Sequence, residues 1–228
     1  MEESYQKIIF QKDAEQEIRA AESEGRDADF SNQTIQELNL SDKEIRCGLN
    51  FKNAVFLGSF YLGRSSILGD LILEGSVINN TLYLGELKVG GNFLAPRVAI
   101  KNSLNLVGGE VEGDLDIEKA HIQGFLSLNK VRVRGKMNAK GLKIISLESQ
   151  TGVIKGDLYI QNGEIEKSFD MEWSYISGMA DFQGLSVWSF LNMSNVKIGG
   201  VLVLRESYIK GESLFEGLEC EEKIISLQ

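Results

Sequence analysis

The stretch GDLDIEKAHIQGFLSLNKVRVRG, residues 113–135, states one eleven-residue motif twice. Leu115 is answered by Leu126, Ile117 by Leu128, Ala120 by Val131 and Ile122 by Val133, while Gly113 is followed by Gly124 and Gly135. The same beat extends outward in both directions. With Leu115 as position 1, that position runs Leu71, Leu82, Phe93, Leu104, Leu115, Leu126 and Met137, and position 3 runs Leu73, Leu84, Ala95, Leu106, Ile117, Leu128 and Ala139. Position 8 holds Ile or Val from Ile78 to Ile144, and position 10 holds Gly or Asn from Gly69 to Gly135. A fixed short period of this kind marks a solenoid, in which each repeat buries its apolar side chains against the next.

Within the repeat, positions 1 and 3 share one face of an extended segment, and so do positions 6 and 8. The spacing therefore predicts two short strands per repeat with these four positions inward, position 6 often small, as at Ser76, Ala120 and Ser174. Five residues separate positions 3 and 8, and six separate position 8 from the next position 3. The repeat thus reads as two five-residue units plus one residue near position 10, where Gly and Asn, tolerant of positive φ, suit a corner. An eleven-residue right-handed coiled coil is the rival architecture. Twenty-four glycines, many at one phase, exclude it.

The repeats begin near Ala28 and Phe30, pass through Leu38, Leu49 and Phe60 into the regular block, and take one step of 10 to Leu147 before resuming at Leu158 and running to Ser213. That gives about 18 repeats, and with two per coil a rod on the order of 40 Å long at the usual strand spacing. Residues 4–24 differ: Tyr5, Ile8, Ile9, Ala14, Ile18 and Ala21 lie near helical spacing, and Gly25 suits a left-handed helix end. The organisation expected is an N-terminal capping helix in residues 1–27 and a solenoid over 28–228. Only Glu221–Gln228 follow the last repeat, which predicts an open end suited to a homodimer.

This phase resembles the pentapeptide-repeat family, where a small residue, any residue, then Leu or Phe recur every five; Ala120–Ile122 and Val131–Val133 are such small–x–large pairs. The resemblance covers roughly residues 28–220 and departs from the family in the eleventh residue and in Leu at position 1. It implies an all-β fold, a right-handed parallel β-helix with a quadrilateral cross-section, here with an N-terminal capping α-helix. A triangular helix like that of the bactofilins is the alternative. For function it implies a non-enzymatic protein-binding or scaffolding rod, with a DNA-mimicking topoisomerase-binding protein and a bactofilin-like polymer as alternatives.

Composition narrows the classes further. No apolar run reaches the roughly 18 residues of a membrane span, and the charged first 30 residues do not read as a secretory signal, so a cytoplasmic protein is expected. A net charge of −9 argues against direct nucleic-acid binding. Cys47 and Cys220 stand nearly a rod's length apart and read as free thiols. With His121, the single histidine, they cannot form a closed zinc site, so neither metal nor cofactor is expected. Gly90–Gly91 and Gly108–Gly109 lack the Lys-Ser/Thr of a phosphate loop. Asp116, Asp170 and Asp181 share position 2, the arrangement a polysaccharide-cleaving β-helix would need, but Asn138 and Tyr159 interrupt them and no catalytic residue is assigned.

Charge distribution gives the strongest functional signal. Between Lys119 and Lys143 lie seven basic residues, Lys119, Lys130, Arg132, Arg134, Lys136, Lys140 and Lys143, and no acid. They predict a basic waist, densest at Arg132, Arg134 and Lys136, as the candidate contact for an acidic protein segment or a phosphate-bearing ligand. Tyr61 and Tyr83 should stack on one face, two repeats apart, and Trp173 and Trp188 stand at positions 5 and 9, where partner contact and corner packing explain them equally well.

Overall fold

The computed structural model, which describes residues 8–149 and 152–227, is a right-handed parallel β-helix preceded by one helix, α1 (Gln11–Glu24). Each coil contributes four two-residue strands, and these stack into four walls. The first wall holds position 1 of alternate repeats, for example Leu71 on Leu49 and under Phe93. The second wall pairs Val77 with Val55 and Ala99, the third Leu82 with Phe60 and Leu104, and the fourth Lys88 with Ser66 and Glu110. The first two walls are nine strands deep. The cross-section is therefore quadrilateral, and every residue looks across the ladder at the residue one coil away.

Positions 1, 3, 6 and 8 point inward as the alternation requires: Leu115, Ile117, Ala120 and Ile122 are all buried, and one apolar core runs through the rod. Its N-terminal end is aromatic. Phe51 stacks on Phe30 at 4.8 Å between ring centroids and meets Phe60 edge-on at 5.0 Å. Small polar residues at position 6 are satisfied within the wall, as when the Ser76 hydroxyl donates to the carbonyl of Leu73 at 2.8 Å.

The corner chemistry corrects the expectation. Positive φ belongs to position 5, where all seventeen repeats lie between +53° and +69°, and among the position-10 glycines of the regular block only Gly124 shares that hand. Position 5 is the third residue of a turn closed by a hydrogen bond from position 6 to position 3, such as Ser76 N–H to Leu73 O at 3.0 Å, and a turn of that type needs positive φ there. Position 10 needs glycine for a different reason, close approach. A Cβ on Gly69 would lie 2.8 Å from the backbone of Gly48 in the coil below. On Gly91, Gly113, Gly135 and Gly178 it would strike the side chain of Asp70, Asn92, Asp114 or Asp157. Those Asx side chains reach up to the coil above: Asp70 Oδ1 accepts the Asn92 N–H at 2.7 Å, Asn92 Oδ1 the Asp114 N–H at 2.9 Å, and Asp114 Oδ1 the Lys136 N–H at 2.8 Å.

Leu147 is not a repeat position. Strands Leu147–Ser149 and Gly152–Ile154 pair antiparallel as an inserted hairpin between the second and third walls, and Leu158 pairs with Leu126 in the third wall as though nothing intervened. Among the described residues the repeats thus number seventeen, not 18.

At the N-terminus the helix is shorter than the predicted 4–24, since Ile8 and Ile9 form a strand; residues 4–7 lie outside the described residues. The open edge of the first coil is closed by a different device on each wall. Strand Ile8–Ile9 pairs with Thr34–Ile35 on the second wall. The Gln11 side chain imitates a strand on the third, donating to Asn39 O at 2.7 Å and accepting the Asn39 N–H at 2.8 Å. Glu22 accepts the Arg46 N–H at 2.8 Å on the fourth wall, and Glu17 the Asp29 N–H at 3.4 Å on the first. Ala14, Ile18 and Ala21 of α1 complete the seal over the core. At the far end, strand Val201–Ile209 spans the third and fourth walls and is covered by Glu222–Leu227 in parallel register, while Leu214 and Phe215 stay partly open to solvent. No helix among the described residues is long and apolar enough to cross a membrane.

Candidate functional site

Stacking wraps the predicted basic waist around the rod as a band and sets acids against four of its residues. Its seven residues fall on every side of the rod: Arg132 and Arg134 on the fourth wall, Lys143 on the second, and Lys119, Lys130, Lys136 and Lys140 at or beside corners. What faces each cation is set by the column, not by the chain. On the fourth wall the column runs Lys88, Glu110, Arg132, Glu164, with alternating sign. Arg132 pairs with Glu164 at 2.9 Å and Arg134 with Glu112 at 2.9 Å, so two of the three residues at the predicted densest point of the band are neutralised. Lys119 pairs with Glu118 at 2.8 Å and Lys140 with Glu172 at 2.9 Å; Glu172 and then Asp170 hold the Lys140 ammonium pKa up, while Lys119 draws that of Glu118 down. Among the described residues Lys130, Lys136 and Lys143 make no ion pair.

The three aspartates also separate. Asp116 and Asp170 share the first wall with Asn138 between them, whereas Asp181 lies on the third. Each is engaged locally: its Oδ1 accepts the backbone N–H two residues on, from Glu118 at 2.8 Å, Glu172 at 3.0 Å and Gln183 at 3.0 Å, which closes the corner as Asx residues do elsewhere in the rod. A groove of about 400 Å³ on this wall is lined by Asp116, Asn138, Asp170 and Phe190. Partial burial raises the Asp116 pKa above 3.8, with the nearby Glu118 and Asp114 carboxylates adding to the shift. Ionisation of Asp116 therefore works against folding at neutral pH. Asp116→Asn keeps an oxygen for the Glu118 N–H, and should unfold at higher urea than wild type at pH 7. That advantage should be full above the folded pKa, shrink as pH falls towards 3.8, and vanish below it. Equal urea midpoints at pH 7 would contradict the burial assigned to this carboxylate.

His121 stands on the second wall beside Lys101 and Lys143; partial burial first, then those two cations, pushes its pKa below the ordinary value, so at neutral pH it is an uncharged imidazole. Lys101 was not among the predicted residues. Reading every twenty-second residue joins His121 to Lys143 but gives Ala99 on the coil before; Lys101 is the next outward residue after Ala99 on the same wall. Tyr61 and Tyr83 stack on the third wall as the spacing predicts, 4.9 Å between centroids with rings 3° from parallel. Trp173 and Trp188 are exposed, and Trp188 packs on Tyr208 at 5.6 Å with Lys210 over its ring at 6.0 Å. Trp173 is the unusual one: it is 65% exposed at a left-handed corner, φ +61°, where the equivalent corners hold Asn, Gly or charged residues such as Arg64, Glu86 and Lys119. A bulky side chain in that conformation strains the backbone without any packing return. Both cysteines are free, and burial raises the Cys47 thiol pKa. No protein-family model, curated protein or solved structure matches this chain.

Proposed function

We propose that this chain is a non-enzymatic, protein-binding rod of pentapeptide-repeat-like type that acts as a scaffold in the cytoplasm. The observation that supports it is Trp173, a large apolar side chain held in solvent on a left-handed backbone whose equivalent corners carry Asn, Gly or charged residues. Strain of this kind persists where a partner uses the side chain. Trp188, Phe190, Tyr208 and Leu214 add exposed apolar surface on the same last coils, and aromatic anchors carry much of the energy of protein contacts. DNA mimicry would need an unbroken negative face, which the alternating Lys88, Glu110, Arg132, Glu164 column does not offer. The partly open last coil supports a homodimer as one mode of assembly; sedimentation of a monomer at micromolar concentration would remove it.

Trp173→Asn tests the reading with two opposed outcomes. It should stabilise the rod by about 1 kcal/mol, because Asn tolerates the left-handed conformation. It should also reduce recovery of the partner in affinity capture from lysate followed by mass spectrometry. A variant that is more stable and retains every specifically captured protein would show that Trp173 is not a contact, and wild-type chain that captures nothing above background would sink the scaffold reading.

A further inference from the structure

The acids of this rod are unevenly placed. The net charge is −9, yet no Asp or Glu occupies an outward position of the second wall between Thr34 and Ser177. The wall offers instead three zones in axial order. Val55, Leu57 and Val77 make an aliphatic zone, with Leu57 43% exposed. Lys101, His121 and Lys143 make a cationic zone on the next coils; neither lysine has an ion-pair partner among the described residues, and both act on the imidazole between them. Tyr175 follows on the adjacent coil, with Trp173 at its corner. The other walls differ. The fourth alternates in sign, the first carries Asp116, Glu118, Asp170 and Glu172, and the third is uncharged from Asn39 to Gln161.

We infer that the second wall is the docking face of the rod, and that it takes an extended acidic protein segment carrying apolar residues on both sides of its carboxylates. This rests on the protein-binding reading above and names the surface and the partner's chemistry. Charge complementarity selects the occupant. An anionic membrane is a plane wider than this wall, and it would also meet the acids of the adjoining first wall, among them Asp116 and Asp170. A slender segment lying along the wall senses only the local column. Geometry then sets its pattern: coils repeat at about 4.8 Å and an extended chain advances about 3.3 Å per residue. Lys101 and Lys143, two coils apart, match carboxylates about three residues apart. Leu57 and Tyr175 match apolar residues about three before the first carboxylate and one after the second.

The probe is a fluorescein-labelled eight-residue peptide with leucine at its first and last positions, glutamate at its fourth and seventh, and serine elsewhere. Its anisotropy should report saturable binding to the whole chain, weakened at least tenfold by Lys101→Glu with Lys143→Glu and by Leu57→Ser, and weakened by salt. A lysine-for-glutamate peptide should not bind. The exposed substitutions should leave the melting temperature unchanged, and Arg132→Gln with Arg134→Gln, on the neutralised wall, should leave binding unchanged. Four outcomes would overturn the inference: no saturable binding up to about 1 mM, equal binding by the second-wall variants, sedimentation of the chain with phosphatidylserine vesicles in preference to the peptide, or a dimer that Lys101→Glu with Lys143→Glu dissolves. If the peptide fails while partner capture from lysate persists in the second-wall variants, this surface is wrong and the scaffold reading stands. Should capture fail in wild type as well, both fall.

Discussion

Leu115→Asp should abolish cooperative unfolding altogether. Leu115 is fully buried and stacks in register between Phe93 and Met137, so its replacement loses about 2–5 kcal/mol of apolar burial and packing. The carboxylate adds several kcal/mol more, because no cation or free donor reaches into this stack of aliphatic coils. Together these costs match the about 5–15 kcal/mol that holds a typical domain folded. Circular dichroism through a urea titration should show no transition for Leu115→Asp. Asp116→Asn, one residue along and facing outward, should keep the wild-type slope. Two similar curves would mean that the inward and outward positions have been exchanged.

Gly135→Ala should be among the most damaging single-methyl changes in the rod. The new Cβ would sit far inside 3.0 Å of both the Asp114 side chain and the Gly113 carbonyl, and neither can yield without breaking the Asp114 bond to the Lys136 N–H. A clash with backbone, plus an orphaned donor, should cost about 3 kcal/mol or more. Gly108→Asn is the matched control, since Gly108 has φ +68° at position 5 and a Cβ there would meet only the Glu86 side chain at 3.5 Å. It should cost less than about 1 kcal/mol. If Gly108 proved the more sensitive of the two, left-handed backbone rather than close approach would govern these corners.

The sequence exposed the period and the inward positions because burial repeats at fixed phase: Leu115, Ile117, Ala120 and Ile122 are apolar for one physical reason in every coil. It hid the turn. Position 5 is occupied by Asn53, Arg64, Gly75, Glu86, Arg97, Gly108 and Lys119 in succession, and a left-handed residue that tolerates such variety leaves no consensus. The glycines of position 10 were visible, but their cause lies one coil away, in an Asx side chain that local reading does not place beside them. The hairpin passed for a repeat because its extra ten residues are nearly a repeat in length and Leu147 stands eleven before Leu158. The acids that face the basic waist were hidden for a related reason: a run of cations along the chain is distributed around a coil, and Arg132, Arg134 and Lys140 meet acids one coil away. Lys143 kept its place in the candidate surface, and Lys101 joined it from outside the run.

The uniform register has a kinetic consequence. Nearly every ladder bond joins residues 22 apart, as in Leu71↔Phe93 and Leu82↔Leu104, whatever the length of the rod. Sequence separation is then only about a tenth of the chain length, below the range typical of β sandwiches, whose folding waits on distant strands. Each added coil closes a loop of the same size on a template already formed, so folding should start at any well-packed coil and grow in both directions. The hairpin interrupts this once, stretching the step from Leu126 to Leu158 to 32 residues. By loop-closure entropy that step costs only about 0.3 kcal/mol more than its neighbours, which makes this corner the place where the chain could carry a longer insertion with little effect on how fast the rod assembles.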